Sequence, residues 1–258
     1  MRKRTATAAL VAVTAFYSLA APVAQADSGV GDTVINSVLI NDGEPVVIGV
    51  SDMTFPVIMN ATDDHGVGAV GTMTWLWRDS DADHHAVYTG YTDIQVCQGS
   101  SPGPTRCLLR GNVNYRTDFL ANYAAGTWNV AAKAVSIDGD YQTVANEGTI
   151  RVLRQAHLTV NASPEPVTKG KILSVIGLLS RANWETRTFD GYGGKKVNLQ
   201  FRKAHTSTYT TVKSITSSGS GALKTTITAS TDGCWRFSFA GSTTTSAANA
   251  TGDCVDVK

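Results

Sequence analysis

Short runs in which apolar and polar residues alternate recur along this chain from about residue 33 to its end. Alternation puts residues i and i+2 on one face, which is the period of a half-buried strand. Phe55, Val57 and Met59 share a face in this way, as do Trp128, Val130, Ala132 and Ala134. Val197, Leu199 and Phe201 repeat the pattern, and so do Trp235, Phe237 and Phe239. Between the runs stand turn signals such as Asn41-Asp42-Gly43, Asp63-Asp64-His65-Gly66 and Ile137-Asp138-Gly139-Asp140. No long window beyond residue 26 carries apolar residues at helical spacing. Thr, Val, Ser and Gly are abundant, and β-branched residues suit a pleated surface better than a helix. The fold class expected is all-β.

The chain opens on Met1-Arg2-Lys3-Arg4, then an alanine-rich apolar stretch to about Ala21, then Ala24-Gln25-Ala26. A basic start, a short apolar core and a small-x-small site make residues 1–26 a signal peptide with cleavage after Ala26. The apolar core contains Thr14 and Ser18 and is short for a spanning helix, which needs about 20 apolar residues. The mature chain is expected to be secreted, extracellular or cell-wall associated, with no membrane span. Without Arg2, Lys3 and Arg4 it carries 19 basic against 21 acidic side chains, a net of −2. That balance gives no reason to expect nucleic acid as a partner.

A chain of 258 residues is long for one domain and comfortable for two. In the first half the expected strands are Thr33–Ile40, Val46–Val50, Thr54–Thr62, Val70–Trp77, Ala86–Cys97, Arg106–Asn112, Thr127–Val135 and Gly148–Leu153. In the second they are His157–Ala162, Ile172–Leu179, Lys196–Arg202, Tyr209–Ile215, Ala222–Ala229, Cys234–Phe239 and Ala250–Val257. Short strands at even spacing suggest a sandwich in each half. The divisions are residues 27–154 and 155–258, joined by the short, stiff link Leu153–His157.

Several segments of the second half resemble a known module. They are Val167-Thr168-Lys169-Gly170, Arg181-Ala182-Asn183-Trp184, Gly191-Tyr192-Gly193-Gly194, Gln200-Phe201-Arg202 and the run from Trp235 to Gly241. Together they are similar to an immunoglobulin-like module of secreted proteins from high-GC Gram-positive (actinobacterial, Streptomyces-like) bacteria, over about residues 157–258. The first half resembles extracellular immunoglobulin-like domains more loosely, through Ala61-Thr62-Asp63-Asp64 and Gly126-Thr127-Trp128. Trp128 would be the aromatic of the penultimate strand, with Val130 where an antibody domain has a cysteine. The resemblance implies a compartment and two immunoglobulin-like β-sandwich domains in tandem, and no activity.

Four cysteines allow three pairings. Cys97 and Cys107 flank the turn Ser101-Pro102-Gly103-Pro104, and Cys234 and Cys254 lie on two late strands. Export favours oxidation, and these local pairings keep one bridge in each half. Each half would then fold with its own bridge. No C-x-x-C knuckle supports zinc.

Gly99-Ser100-Ser101-Pro102-Gly103 matches G-x-S-x-G, but a nucleophile elbow joins a strand to a helix and none follows here. Asp79, Asp81 and Asp83 alternate as in a calcium loop, yet His84 replaces the required glycine and Gly90 the closing glutamate. Asp63, Asp64, Asp138 and Asp140 would supply carboxylates to a Ca²⁺ if their turns meet; Asx-type turns explain them without metal. The stretch Arg181–Gly194 is expected as a loop, and its Trp184, Phe189 and Tyr192 would suit a sugar or peptide or else pin the loop onto the sandwich.

The reading is a secreted, non-enzymatic binding or surface-interaction protein for an extracellular protein or glycan. The rivals are a calcium-stabilised structural envelope protein and a secreted hydrolase or hydrolase inhibitor. Asp and His side chains converging on Ser101 would favour the hydrolase.

Overall fold

A computed structural model describes residues 27–80, 83–89, 96–113 and 121–258, the side chains of 79, 80 and 83–89 excepted. The expected signal peptide, residues 1–26, lies outside the described residues. The described residues form strands and two short 3-10 turns, with no α-helix among them.

The first half holds β1 (Ser28–Val30), β2 (Val34–Ile40), β3 (Val46–Ile48), β4 (Met53–Asp63), β5 (Val67–Ser80) and β6 (Asp83–Thr89). It continues with β7 (Val96–Gly99), β8 (Gly103–Val113), β9 (Gly126–Ser136), β10 (Tyr141–Val144) and β11 (Thr149–Arg154). The strands run in the order β1-β10-β9-β5-β6-β8-β4-β2, with β11 on β9, β3 parallel to β11, and β7 on β8. Among the described residues β6 meets β8 at Thr89, opposite Gly111. The alternation read from sequence sets the inward face: Phe55, Val57, Met59 and Ala61 of β4 are buried, as are Trp128, Val130, Ala132 and Ala134 of β9. On β5 the inward residues are Thr72, Thr74 and Leu76. Trp75 and Trp77 therefore lie on the other side, and the Trp77 indole donates to the Ala145 carbonyl at 3.2 Å. A bulge between Gly68 and Met73 resets the β5 register, and Gly71 takes a φ of 83° within it.

Within Ala86–Cys97, expected as one strand, β6 ends at Thr89 and β7 begins at Val96; β6 pairs along β5 and meets β8 at Thr89, and β7 pairs along β8. Strand β10 was not expected, because Tyr141–Val144 offers only four residues and all are half-buried.

The second half holds β12 (Ala156–Leu158), β13 (Asn161–Ser163), β14 (Ile172–Asn183), β15 (Thr188–Gly191), β16 (Lys196–Lys203), β17 (Thr210–Thr216), β18 (Ala222–Thr228), β19 (Gly233–Phe239), β20 (Ala248–Asn249) and β21 (Asp253–Val255). One sheet gathers β12, β13, β15 and β18 around β14; the other is β17-β16-β19 with β20 and β21 on β19. Leu173, Val175, Leu179 and Leu223 of the first sheet meet Val197, Leu199, Phe237 and Phe239 of the second in one core. This is a β-sandwich. The stretch expected as a long loop after Leu179 is instead a hairpin: β14 runs on to Asn183 and pairs with β15.

Both cystine bridges form. Cys97–Cys107 links β7 to β8, and Cys234–Cys254 links β19 to β21. Only Gln155 separates β11 from β12. Its N–H donates to the Ile48 carbonyl at 2.9 Å, and its own carbonyl accepts from Ala182 N–H at 2.8 Å. The chain from Thr244 to Ser246 runs beside it: Arg154 N–H donates to Thr244 O at 3.1 Å, and Ser246 N–H to Arg154 O at 2.9 Å. The first core also contains Ala182 and Trp184 from the second half. Residues 27–154 thus share their core with two residues of the second half.

Candidate functional site

Three turns converge at one end of the first half. β1 lies on β10 and β10 on β9, so the β1–β2 turn at Asp32 sits beside the β9–β10 turn at Asp138–Asp140. β9 also lies on β5, which places the β4–β5 turn beside both; Ile137 N–H donates to the Gly66 carbonyl at 2.9 Å. Asp63, Asp64, Asp138 and Asp140, expected on separate turns, are therefore brought together, and Asp32 and His65 join them.

Asp63 is the buried member. Its carboxylate accepts from the Thr33 hydroxyl at 2.6 Å and from His65 N–H at 2.8 Å. Asp138 accepts from the Ser136 hydroxyl and from Asp140 N–H, and Asp32 N–H donates to Asp140 at 3.3 Å. The His65 ring pairs with Asp64 and, at 2.9 Å, with Asp138. Single ligand atoms of Asp63, His65 and Asp138 lie within 4.8 Å of one another, as do those of Asp32, Asp63 and Asp64.

Crowding shows in the ionisation of these groups. Desolvation and the charges of Asp64 and Asp63 push the Asp32 carboxyl above its ordinary value. The hydrogen bond and charge of Asp64, with Asp138 behind them, raise the His65 imidazole. The Ser136 hydroxyl leads in holding Asp138 below the ordinary carboxylate value. The carboxylate oxygens of this corner are donors of the kind a hard divalent cation takes, whereas the imidazole suits a transition metal.

Ser101 of the hydrolase-like motif stands at this corner. Asp138 and His65 are paired, and the disulfide hairpin brings Ser101 alongside, but the Ser101 hydroxyl donates to the main-chain carbonyl of Asp64 at 2.8 Å. This bond ties the disulfide hairpin to the β4–β5 turn.

Asp79 and Asp83 belong to paired strands, Asp79 opposite His84 and Ser80 opposite Asp83, and so not to an open loop. Asp81 lies outside the described residues, as do the side chains of Asp79 and Asp83.

The three aromatics of the second half face inward. Trp184, at the end of the β14 segment, is only 3% exposed; it sits in the first core and its indole donates to Ile48 O at 3.1 Å. Phe189 is partly buried against the same core and stacks on His157, ring centroids 3.8 Å apart. Tyr192 is buried in the second core, edge-on to Phe239. All three are thus packed against one core or the other. Asn122 fastens the same hairpin: its amide donates to Asn183 at 2.8 Å, its carbonyl oxygen accepts from Trp184 N–H at 3.0 Å, and its N–H donates to Glu185 at 3.0 Å.

Arg154 was not expected to matter. It is 6% exposed, and its Nε donates to the Ala182 carbonyl at 2.6 Å. Burial and the neighbouring Arg181 lower its pKa. Nothing in Val152-Leu153-Arg154-Gln155 marks it as buried; only the pairing of the two halves does.

No protein-family model matches the sequence, and no curated protein matches it. Among solved structures the chain is similar to dimeric latent PorU from Porphyromonas gingivalis, at 10% identity and a TM-score of 0.30, over 87% of this chain and 20% of that one. It is also similar to the D00-D0 domain of intimin, at 15% identity and a TM-score of 0.28, over 86% of this chain and 99% of that one. A third is the ectodomain of mouse nectin-like molecule 4, at 11% identity and a TM-score of 0.25, over 89% of this chain and 65% of that one. The chain spans a fifth of PorU's length, and superpositions this loose say nothing of its activity or partners. No helix among the described residues is long and apolar enough to cross a membrane.

Proposed function

We propose that this is a secreted, non-enzymatic binding or surface-interaction protein, its residues 27–154 and 155–258 forming two immunoglobulin-like domains of the actinobacterial type. The observation that carries the reading is the fate of the polar groups around Ser101. The serine hydroxyl donates to a turn carbonyl and the nearby imidazole is paired with Asp64 and Asp138, which supports a turn-closing role for this motif. The remaining features are those of a scaffold: two bridged halves, a hydrogen-bonded link and turns displayed at an end. Its partner is an extracellular protein or glycan. The test is retention of the mature chain on isolated bacterial cell walls, extracellular glycans and secreted proteins. Saturable retention supports the reading, and its absence from every surface overturns it.

A second reading is favoured by the convergence of Asp32, Asp63, Asp64, His65 and Asp138. On this reading Ca²⁺ at that corner stabilises the first half, making the protein a calcium-stabilised structural component of the cell envelope. A melting curve with calcium and with EDTA decides it: no shift between the two removes the calcium role.

A further inference from the structure

The net charge of −2 hides a division along the chain. Residues 27–154 carry 7 basic against 15 acidic side chains, a net of −8, and residues 155–258 carry 12 against 6, a net of +6. Opposite fields on one molecule steer association. Two groups of exposed large apolar side chains lie within these fields, one at the free end of the first half and one on a face of the second.

The first group surrounds the acidic corner. β9 starts at Gly126, opposite Val152 of the strand that leads into the link, and ends at Ser136. The corner thus lies roughly 30 Å beyond the joint between the halves. Ile137 is 74% exposed and Val70 88%, and the exposed Val30 and Val34 flank the turn at Asp32. Asp32, Asp63, Asp64, Asp138 and Asp140 stand here against the single imidazole of His65. Ile137 is a knob on a fixed base: its N–H donates to Gly66 O at 2.9 Å, and its side chain is left in solvent beside Asp138.

The second group lies on the outward face of β14. Ile172, Ile176 and Leu178 are exposed there, while Leu173, Val175 and Leu179 face the core. The stripe runs about 20 Å along the strand. Beside it Ile176, Thr159, Asn161, Ala222 and Lys224 line a groove of about 540 Å³. The groove opens where Thr159 and Val160 interrupt the pairing of β12 and β13 with β14, and where Ala222, opposite Leu178, is small. Its cations are Lys224, opposite Ile176, Lys171, next to Ile172, and Lys213, whose ammonium donates to the Thr226 carbonyl at 2.8 Å. Among the described residues none of these three lysines pairs with a carboxylate.

We propose that the acidic end of one copy of this chain docks on the β14–β18 face of the next, with Ile137 in the groove and the aspartates against the lysines. A copy does not fill its own groove, because its acidic end points away from the second half across a link of one residue. Two acidic ends repel each other, as do two lysine-bearing faces, so neither patch pairs with itself. Each copy carries one knob and one groove, so the contact is heterologous and propagates from copy to copy. The apolar side chains exclude water, and the charges set which ends meet. The contact goes beyond the binding reading above and needs no further ligand.

The test is sedimentation velocity of the mature chain in EDTA over a range of concentrations, at low and at high salt, with I137K and I176T/K224E beside it. Both variants change exposed side chains, and melting curves check their folding. The native chain should grow beyond a dimer as concentration rises, and its association should weaken about tenfold at high salt. Each variant alone should associate about tenfold more weakly than the native chain. Mixed in equal amounts, at a concentration where neither associates alone, they should form a 1:1 dimer and nothing longer. I137K supplies an intact groove to that dimer, and I176T/K224E an intact knob. A native chain that stays monomeric or stops at a dimer overturns the assignment. So does self-association of either variant at native strength, or a mixture no more associated than its parts. Each of these results removes the docking contact and leaves the binding reading to its own test.

Discussion

Replacing Trp184 by alanine should destabilise the half of the chain to which Trp184 does not belong in sequence. The side chain is 3% exposed and packs in the core built by β4, β8 and β9. Cutting a buried aromatic back to alanine costs about 3–5 kcal/mol. The lost indole hydrogen bond adds little, because the Ile48 carbonyl keeps the Gln155 N–H at 2.9 Å. Trp184→Phe keeps most of the apolar volume and should cost about 1 kcal/mol. For a chain of this length each kcal/mol moves the midpoint by about 2–4 °C, so W184A should lower the melting of the first half by roughly 10 °C. Scanning calorimetry on the mature chain reads this directly, and the fragment 27–154, which lacks Trp184 and Ala182, should be weakened by a similar amount. A W184A protein whose transitions do not move, or a fragment as stable as the same half in the intact chain, would refute the claim that the first core is completed from outside.

Other perturbations separate the remaining features. The Cys234–Cys254 bridge closes a separation of 20 residues, so C234A/C254A should cost about 3 kcal/mol in urea titration and act on the second half. Asp63→Ala removes the acceptor of two hydrogen bonds and should cost about 2–3 kcal/mol; if the corner holds Ca²⁺, the variant also loses any difference between calcium and EDTA in a melting scan. Hydrogen bonds from Asn183 and Thr188, with help from Arg154 and Arg181, hold the Asp190 carboxyl below its ordinary 3.8. Its folded pKa is the lower one, so its contribution is present above 3.8 and is lost as pH falls through the folded value. D190N should flatten the acid limb of the stability profile, and an unchanged limb would count against that pairing.

Strand content was legible because one face of each strand is buried. Alternation marks such strands wherever they are long enough, as on β4, β9, β16 and β19. Strand β10 is short and half-buried throughout, so it left no pattern. The bridges were legible because their cysteines lie on strands that sequence already placed as neighbours. The acidic corner was half legible: the turns announced themselves, but their meeting depends on β9 lying between β5 and β10, which no local signal encodes. The aromatic hairpin was the least legible. Trp184, Phe189 and Tyr192 read more readily as pins than as a binding face, and what they pack on includes Ile48, Asn122 and His157, which lie up to 136 residues away in sequence. The burial of Arg154 was missed for the same reason, since the carbonyl it bonds, that of Ala182, lies far away in the chain.

Whether this protein binds without cleaving is decided by a single incubation that measures binding and chemistry together. The mature chain is passed over immobilised cell-wall polysaccharide and extracellular protein, retention is followed with concentration, and the recovered material is weighed by mass spectrometry. A non-enzymatic binding protein gives saturable retention on at least one surface and recovered material of unchanged mass. Retention on none, or recovered material that has been cleaved, would contradict that role.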